Sequence, residues 1–188
     1  MIFLNYEIYK KIRNASWQCL IDCNINSLPT NLSAVCNRFN IRVIENSSLR
    51  SHQLKDNERG KTLIFQHDIF IIVRDTDPMP VQRYTIAHEL GHILIGHNIS
   101  EYEAERFAIG ILAPACVLWG LDVHDPEEIA KLCNISLTAA KIRAEIMELL
   151  YQREQDFLKS KGRSCFLQSP LERKVFAQFQ NFINENKP

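Results

Sequence analysis

His88-Glu89-Leu90-Gly91-His92 places two imidazoles four residues apart with a carboxylate between them. On a helix, residues four apart share a face, so both rings can reach one ion. Glu89 projects to the side of that pair, where it can accept a proton from an attacking water. A zinc site that performs hydrolysis takes three protein ligands and keeps one position open. Two histidines and a carboxylate from a second helix satisfy that requirement. The stretch Glu101-Tyr102-Glu103-Ala104-Glu105 begins nine residues after His92.

The surroundings separate this pattern from a chance match on a solvated helix. Residues 86–96 are otherwise apolar, so the polar groups sit on a helix that reads as mostly buried, and buried polar groups need partners. For the third ligand the residues leave a choice. Glu101 and Glu105 lie on one face with Ala104 and Ala108, whose small side chains allow two helices to approach; Glu103 points elsewhere and reads as solvated. His97 is the rival, but with Gly96 it stands four and five residues after His92, out of register for a three-histidine site. It reads instead as a histidine at a helix C-terminus. Peptide hydrolysis also needs a donor to the developing oxyanion. Tyr84, Tyr102, His97 and His124 are the candidates, and the sequence does not choose among them.

These residues need elements to hold them. Ile8, Ile12, Ala15, Cys19 and Leu20 have helical spacing, and a short helix is expected over residues 31–39. A strand follows around Ile41 and Val43. Residues 47–60 are polar without a period and read as a loop. Residues 61–65 and 69–74 are β-rich around Gln66-His67-Asp68 and read as an antiparallel hairpin. Pro80 falls in the first turn of the histidine helix, which is expected to run to about Gly96. The Glu101 helix stops before Pro114. Further helices are expected over residues 126–132, 136–153 and 170–184, with Ser136 and Ser169 as N-caps and Pro170 at the first helical position. An exposed edge of the hairpin could pair with an extended peptide and present its amide to the ion; plain scaffolding is the competing role for those strands.

The 188 residues suffice for one domain with a substantial core. Lys+Arg and Asp+Glu number 22 each, so net charge is zero and no bias points to nucleic acid or a membrane surface. No uninterrupted apolar run approaches the roughly 20 residues of a spanning helix. Met1-Ile2-Phe3-Leu4 lacks a basic region followed by a long apolar core, so no signal peptide is expected. The six cysteines form no C-x-x-C pair. Cys19 and Cys23, at i and i+4, are two ligands only, and all six read as free thiols in a reducing cytosol.

Residues 83–94, Arg83-Tyr84-Thr85-Ile86-Ala87-His88-Glu89-Leu90-Gly91-His92-Ile93-Leu94, and residues 101–114, with Glu101-Tyr102-Glu103-Ala104-Glu105-Arg106-Phe107-Ala108 ahead of Pro114, resemble the ImmA/IrrE family of bacterial metallopeptidases. The family pattern is H-E-x-G-H, then E-x-x-A-N-x-F-A, then a Leu-Met-Pro-like end. The resemblance implies that His88, His92 and Glu101 hold Zn2+ and that Glu89 is the catalytic base. It implies a cytoplasmic zinc endopeptidase that cleaves a helix-turn-helix transcriptional repressor. Two positions depart from the pattern. Glu105 stands where Asn or Asp is usual, a polar position suited to orienting a histidine ligand. Ala113 stands where Met is usual, which removes no ligand.

Residues 126–141 also read as two short helices around Asn134-Ile135-Ser136, the outline of a helix-turn-helix. A DNA-reading helix needs exposed basic and amide side chains. Here Lys141 and Arg143 are offset by Glu145 and Glu148, so helical scaffold is the preferred reading and direct nucleic-acid binding is not expected. The expected fold is α+β and zincin-like, with a small antiparallel sheet, active-site helices and a helical C-terminal portion. The peptidase domain is placed at residues 1–156, and a polar linker and final helix at 157–188. The competing function is a non-catalytic regulator that binds a repressor or DNA and carries a structural zinc.

Overall fold

The computed structural model describes residues 6–51 and 54–187. The signal-peptide expectation falls on residues outside these. The chain begins with α1 (Tyr6–Asp22) and α2 (Leu32–Arg38). A sheet of β1 (Ile41–Glu45), β2 (Gly60–Phe65) and β3 (Asp68–Val73) follows, then α3 (Met79–Ile95) and α4 (Glu101–Leu112). The remainder is helical: α5 (Ala115–Leu121), α6 (Pro126–Cys133), α7 (Leu137–Lys161), α8 (Pro170–Gln178) and α9 (Gln180–Asn186). The fold class is α+β, as the periodicities indicate.

The sheet order is β1-β3-β2. β2 and β3 form the expected antiparallel hairpin around Gln66-His67, with Phe65 opposite Asp68. Asp68 thus belongs to the strand and not to the turn. β1 adds to the other side of β3 in parallel, Ile41 opposite Ile69 and Glu45 opposite Val73, so the whole sheet is mixed. β3 is central, and Ile71, Ile72 and Val73 are buried. β2 is an edge whose Leu63, Ile64 and Phe65 are exposed, Phe65 at 66%. The loop before β2 has no hydrophobic period, and its shape comes from a guanidinium: Arg74 donates to the carbonyls of Lys55, Asp56 and Glu58 at 2.6–2.8 Å.

The helices begin and end where local chemistry requires. Asn31 accepts from the Ala34 N–H, Asp125 from those of Glu127 and Glu128, and Ser136 from that of Ala139. Such caps contribute about 0.5–2 kcal/mol each. Ser169 precedes Pro170 as expected but makes no capping hydrogen bond. The buried stripe of α1 runs through Tyr9, Ile12, Ser16, Cys19 and Leu20, while Ile8 is exposed. α7 extends to Lys161, so its last turns occupy residues expected in the polar linker. Beyond it, Phe166 stacks on Trp119 at 5.3 Å between ring centroids, and Gln178 of α8 donates to the Leu20 and Ile25 carbonyls beside α1.

α4 runs through the middle of the core. From Arg106 to Leu112 every residue is buried, with α1 packed on one side and α3 on the other. Pro114 cannot continue the helix, which leaves carbonyls at its end without intrahelical donors. The Thr30 hydroxyl supplies one by donating to the Ile111 carbonyl at 2.6 Å, while the Ile109 carbonyl, which accepts the Ala113 N–H at 3.0 Å, also accepts from Arg143 at 2.9 Å. Arg143 is only 3% exposed, so it serves the interior of the fold and presents no base-reading group. Together, residues 101–121 are long and apolar enough to cross a membrane by composition, yet 83% of their most apolar window is buried inside the protein.

Candidate metal centre

α3 starts after Pro78, with Pro80 in its first turn, and ends at Gly96, whose φ of 132° no L side chain adopts readily. It packs on β2 and β3 with one face and on α4 with the other. Arg83 anchors it to distant chain segments, donating to the Asn134 carbonyl at 3.2 Å and the Thr30 carbonyl at 2.9 Å. The α3–α4 contact is close because neither helix has bulk there. A Cβ on Gly91 would stand 3.2 Å from the Cα and 3.3 Å from the carbonyl oxygen of Ala104. That contact fixes how the two helices cross, and so which α4 side chain can reach the histidines.

The side chain that reaches them is Glu101. Its Oε2 lies 3.0 Å from His88 Nε2 and its Oε1 lies 3.4 Å from His92 Nε2. The two histidine Nε2 atoms are 3.2 Å apart. All the ligand atoms of these three residues fall within 4.8 Å of one another. Donors at about 2.1 Å around a tetrahedral ion stand roughly 3.4 Å apart, so this spacing fits a common ion. The donor set of two imidazoles and one carboxylate suits zinc better than the all-oxygen sites of magnesium or calcium. The histidines are mostly buried, whereas the Glu101 side chain is 78% exposed and leaves the site open toward solvent.

The alternatives for the third ligand go elsewhere. Glu103 closes a capping box at the start of α4. It accepts from the Ser100 N–H at 3.0 Å while the Ser100 hydroxyl accepts from its own N–H. Those hydrogen bonds to Ser100 hold its carboxyl below the usual value. Glu105 is exposed, and among the described residues it forms no hydrogen bond to either histidine. Its charge acts on Tyr84: burial pushes that hydroxyl up to about 12, with Glu105 adding to the shift and Arg106 opposing it. His97 is exposed after the end of α3, and Ala113 is fully buried.

Glu89 is held from the sheet. The Thr62 hydroxyl of β2 donates to Glu89 Oε2 at 2.7 Å. Sequence reasoning missed Thr62, because a threonine in a β-branched strand is an ordinary strand former and carries no motif. Of the oxyanion candidates, Tyr84 lies one turn before His88 on α3. The Tyr102 hydroxyl is buried without a hydrogen-bond partner among the described residues, and His124 pairs with Asp122 at 2.9 Å. None of the four hydrogen-bonds to the His88–His92–Glu101 cluster among the described residues.

Comparison with curated proteins and with solved structures found no match. A family model does match, over residues 36–145, and it is that of the IrrE N-terminal-like domain of the M78 peptidases. The matched span is more than half of the chain and contains β1 through α6 and the start of α7, with both histidines, Glu89, Glu101 and Thr62 inside it. The chain therefore belongs to the M78 peptidase family.

Proposed function

We propose that this protein is a zinc-dependent endopeptidase that cleaves a helix-turn-helix transcriptional repressor in the bacterial cytoplasm. The observation that carries the reading is the convergence of His88, His92 and Glu101 donor atoms at 3.0–3.4 Å, with Glu89 held beside them. Zinc bound there supplies a Lewis acid that polarises the scissile carbonyl and lowers the pKa of water toward about 7.

The chain's own residues do the rest. Glu89 accepts a proton from the attacking water and returns it to the departing amine. Thr62 holds the Glu89 carboxylate by one oxygen and leaves the other to face the water. The exposed edge of β2 offers backbone N–H and C=O groups to an extended substrate strand, and Thr62 lies on that same strand. Such pairing favours an internal, extended stretch of a protein over a chain end. The repressor as substrate rests on the ImmA/IrrE resemblance of residues 83–94 and 101–114.

The test is to incubate zinc-loaded wild type and Glu89→Gln with helix-turn-helix repressors encoded beside the gene and follow fragments on a gel. Cleavage by wild type alone supports the proposal. Equal cleavage removes Glu89 from the chemistry. If neither cleaves but both change repressor binding to DNA, the protein is a non-catalytic regulator.

A further inference from the structure

A cavity of about 410 Å³, open to solvent, is lined by α1, α5, α7, the 162–169 connection and the start of α8. Its size is that of a small-molecule pocket. The walls are aromatic: Tyr9, Trp17, Trp119, Phe157 and Phe166. The Trp119 and Phe166 rings stack on one another, 5.3 Å between centroids and 20° between planes.

The charged groups are not balanced. Lys10, Arg13 and Arg153 line the cavity on the positive side. A smaller void adjoins it across Tyr9, Arg13, Trp17 and Ala115, and into this void two more guanidinium groups are packed, Arg106 and Arg143. Arg106 is 9% exposed. The Nε atoms of Arg13, Arg106 and Arg143 are all buried without a hydrogen-bond partner, and none of the three forms an ion pair among the described residues.

Against these five cations stand two carboxylates. Glu154 is already committed, accepting the Cys165 N–H at 2.7 Å in the connection to α8. Glu172 is destabilised as an anion by its burial, a cost that Arg13 and backbone hydrogen bonds from Leu167 and Ser169 only partly offset. Arg13 is stacked 4.3 Å over the Trp17 ring, which orients its fork at the junction of the two spaces. An anion entering the cavity would meet this excess of positive charge and could accept from the Arg13 fork.

The geometry points to a binding site for a small molecule that combines a planar aromatic ring with a carboxylate or similar anion. The ring would lie against Trp119 and Phe166, and the anion at Arg13. Nothing in the proposed peptidase chemistry uses this cavity. Arg106, which lines the adjoining void, stands on α4 about one and a half turns after Glu101.

Naphthoate, which has both features, is the probe, with naphthamide as the same ring without charge and acetate as the charge without the ring. Titrated calorimetrically into the zinc-loaded full chain, naphthoate is expected to bind at one site. Naphthamide should bind about tenfold or more weaker, and acetate should give no saturable heat. Trp17 and Trp119 are the two tryptophans of the chain and both line the cavity, so both indole N–H resonances should shift with naphthoate. Arg13→Gln should weaken naphthoate about tenfold and leave naphthamide unchanged. Absence of naphthoate binding, equal affinity for naphthamide, or heat without movement of either indole resonance would each overturn the assignment. The comparison of ligands on the wild type stands even if Arg13→Gln does not fold.

Discussion

The Thr62 hydroxyl on the sheet edge donates a 2.7 Å hydrogen bond to Glu89 Oε2 on the histidine helix, 27 residues further along the chain. The same strand is the outer one of the described sheet. A peptide paired to β2 would therefore lie beside the carboxylate proposed to activate water. One short strand would position both the substrate and the base.

Replacing Thr62 with Val keeps shape and strand propensity and removes the donor. Cleavage should slow by about 10–150-fold in kcat, in line with loss of one hydrogen bond to a charged group at about 1.5–3 kcal/mol. KM and zinc content should stay as in the wild type. Steady-state kinetics with metal analysis decides it. A rise in KM with kcat unchanged would show that Thr62 contacts substrate and does not support Glu89.

Glu89→Gln preserves size within α3, and Thr62 can still hydrogen-bond to the amide oxygen. The variant should fold, retain stoichiometric zinc and lose cleavage by about 10²–10⁴-fold, the usual worth of a general base. Metal analysis and a cleavage time course on the same preparation read both effects.

The two glutamates at the start of α4 should part company. Glu101→Ala should lower zinc affinity and His92→Ala should remove most of the metal, whereas Glu103→Ala should leave zinc content unchanged and cost about 0.5–2 kcal/mol through the lost cap. The Glu103 carboxyl is held below its ordinary value of 4.5 by Ser100. Its contribution is thus present above that pH and is lost as pH falls through the lowered value. Wild type and Glu103→Gln should therefore differ in stability at neutral pH and converge in acid, as read by denaturant titration at several pH values.

Gly91→Val tests the helix crossing. Ala104 backbone atoms at 3.2–3.3 Å from the added Cβ position cannot move aside as a side-chain tip could. The substitution should destabilise the fold by about 1–3 kcal/mol and weaken zinc binding, although it touches no proposed ligand. Thermal unfolding with and without a chelator separates the two effects, since bound metal stabilises only a site that still forms. Unchanged affinity would show that α4 keeps Glu101 in place without this contact.

Much of the candidate site was legible because its determinants are local. Helical spacing alone puts His88 and His92 on one face with Glu89 beside them, and Ser136 announces a helix start through a hydrogen bond that spans three residues. The hairpin was equally readable, since alternation and a short polar turn act over a dozen residues.

What the sequence left open depended on packing between segments far apart in the chain. Glu101 and Glu105 share a helix face, and only the crossing of α3 and α4 at Gly91 and Ala104 brings the first of them to the histidines. The parallel pairing of β1, the Thr62–Glu89 bond and the burial of Arg143 all come from long-range contacts that no periodicity encodes. The aromatic, arginine-lined cavity draws its walls from residues 9–17, 115–119, 150–157 and 165–172, which only the folded chain brings together. Short-range sterics and hydrogen bonding wrote the elements into the sequence; close packing of their faces decided which side chains meet.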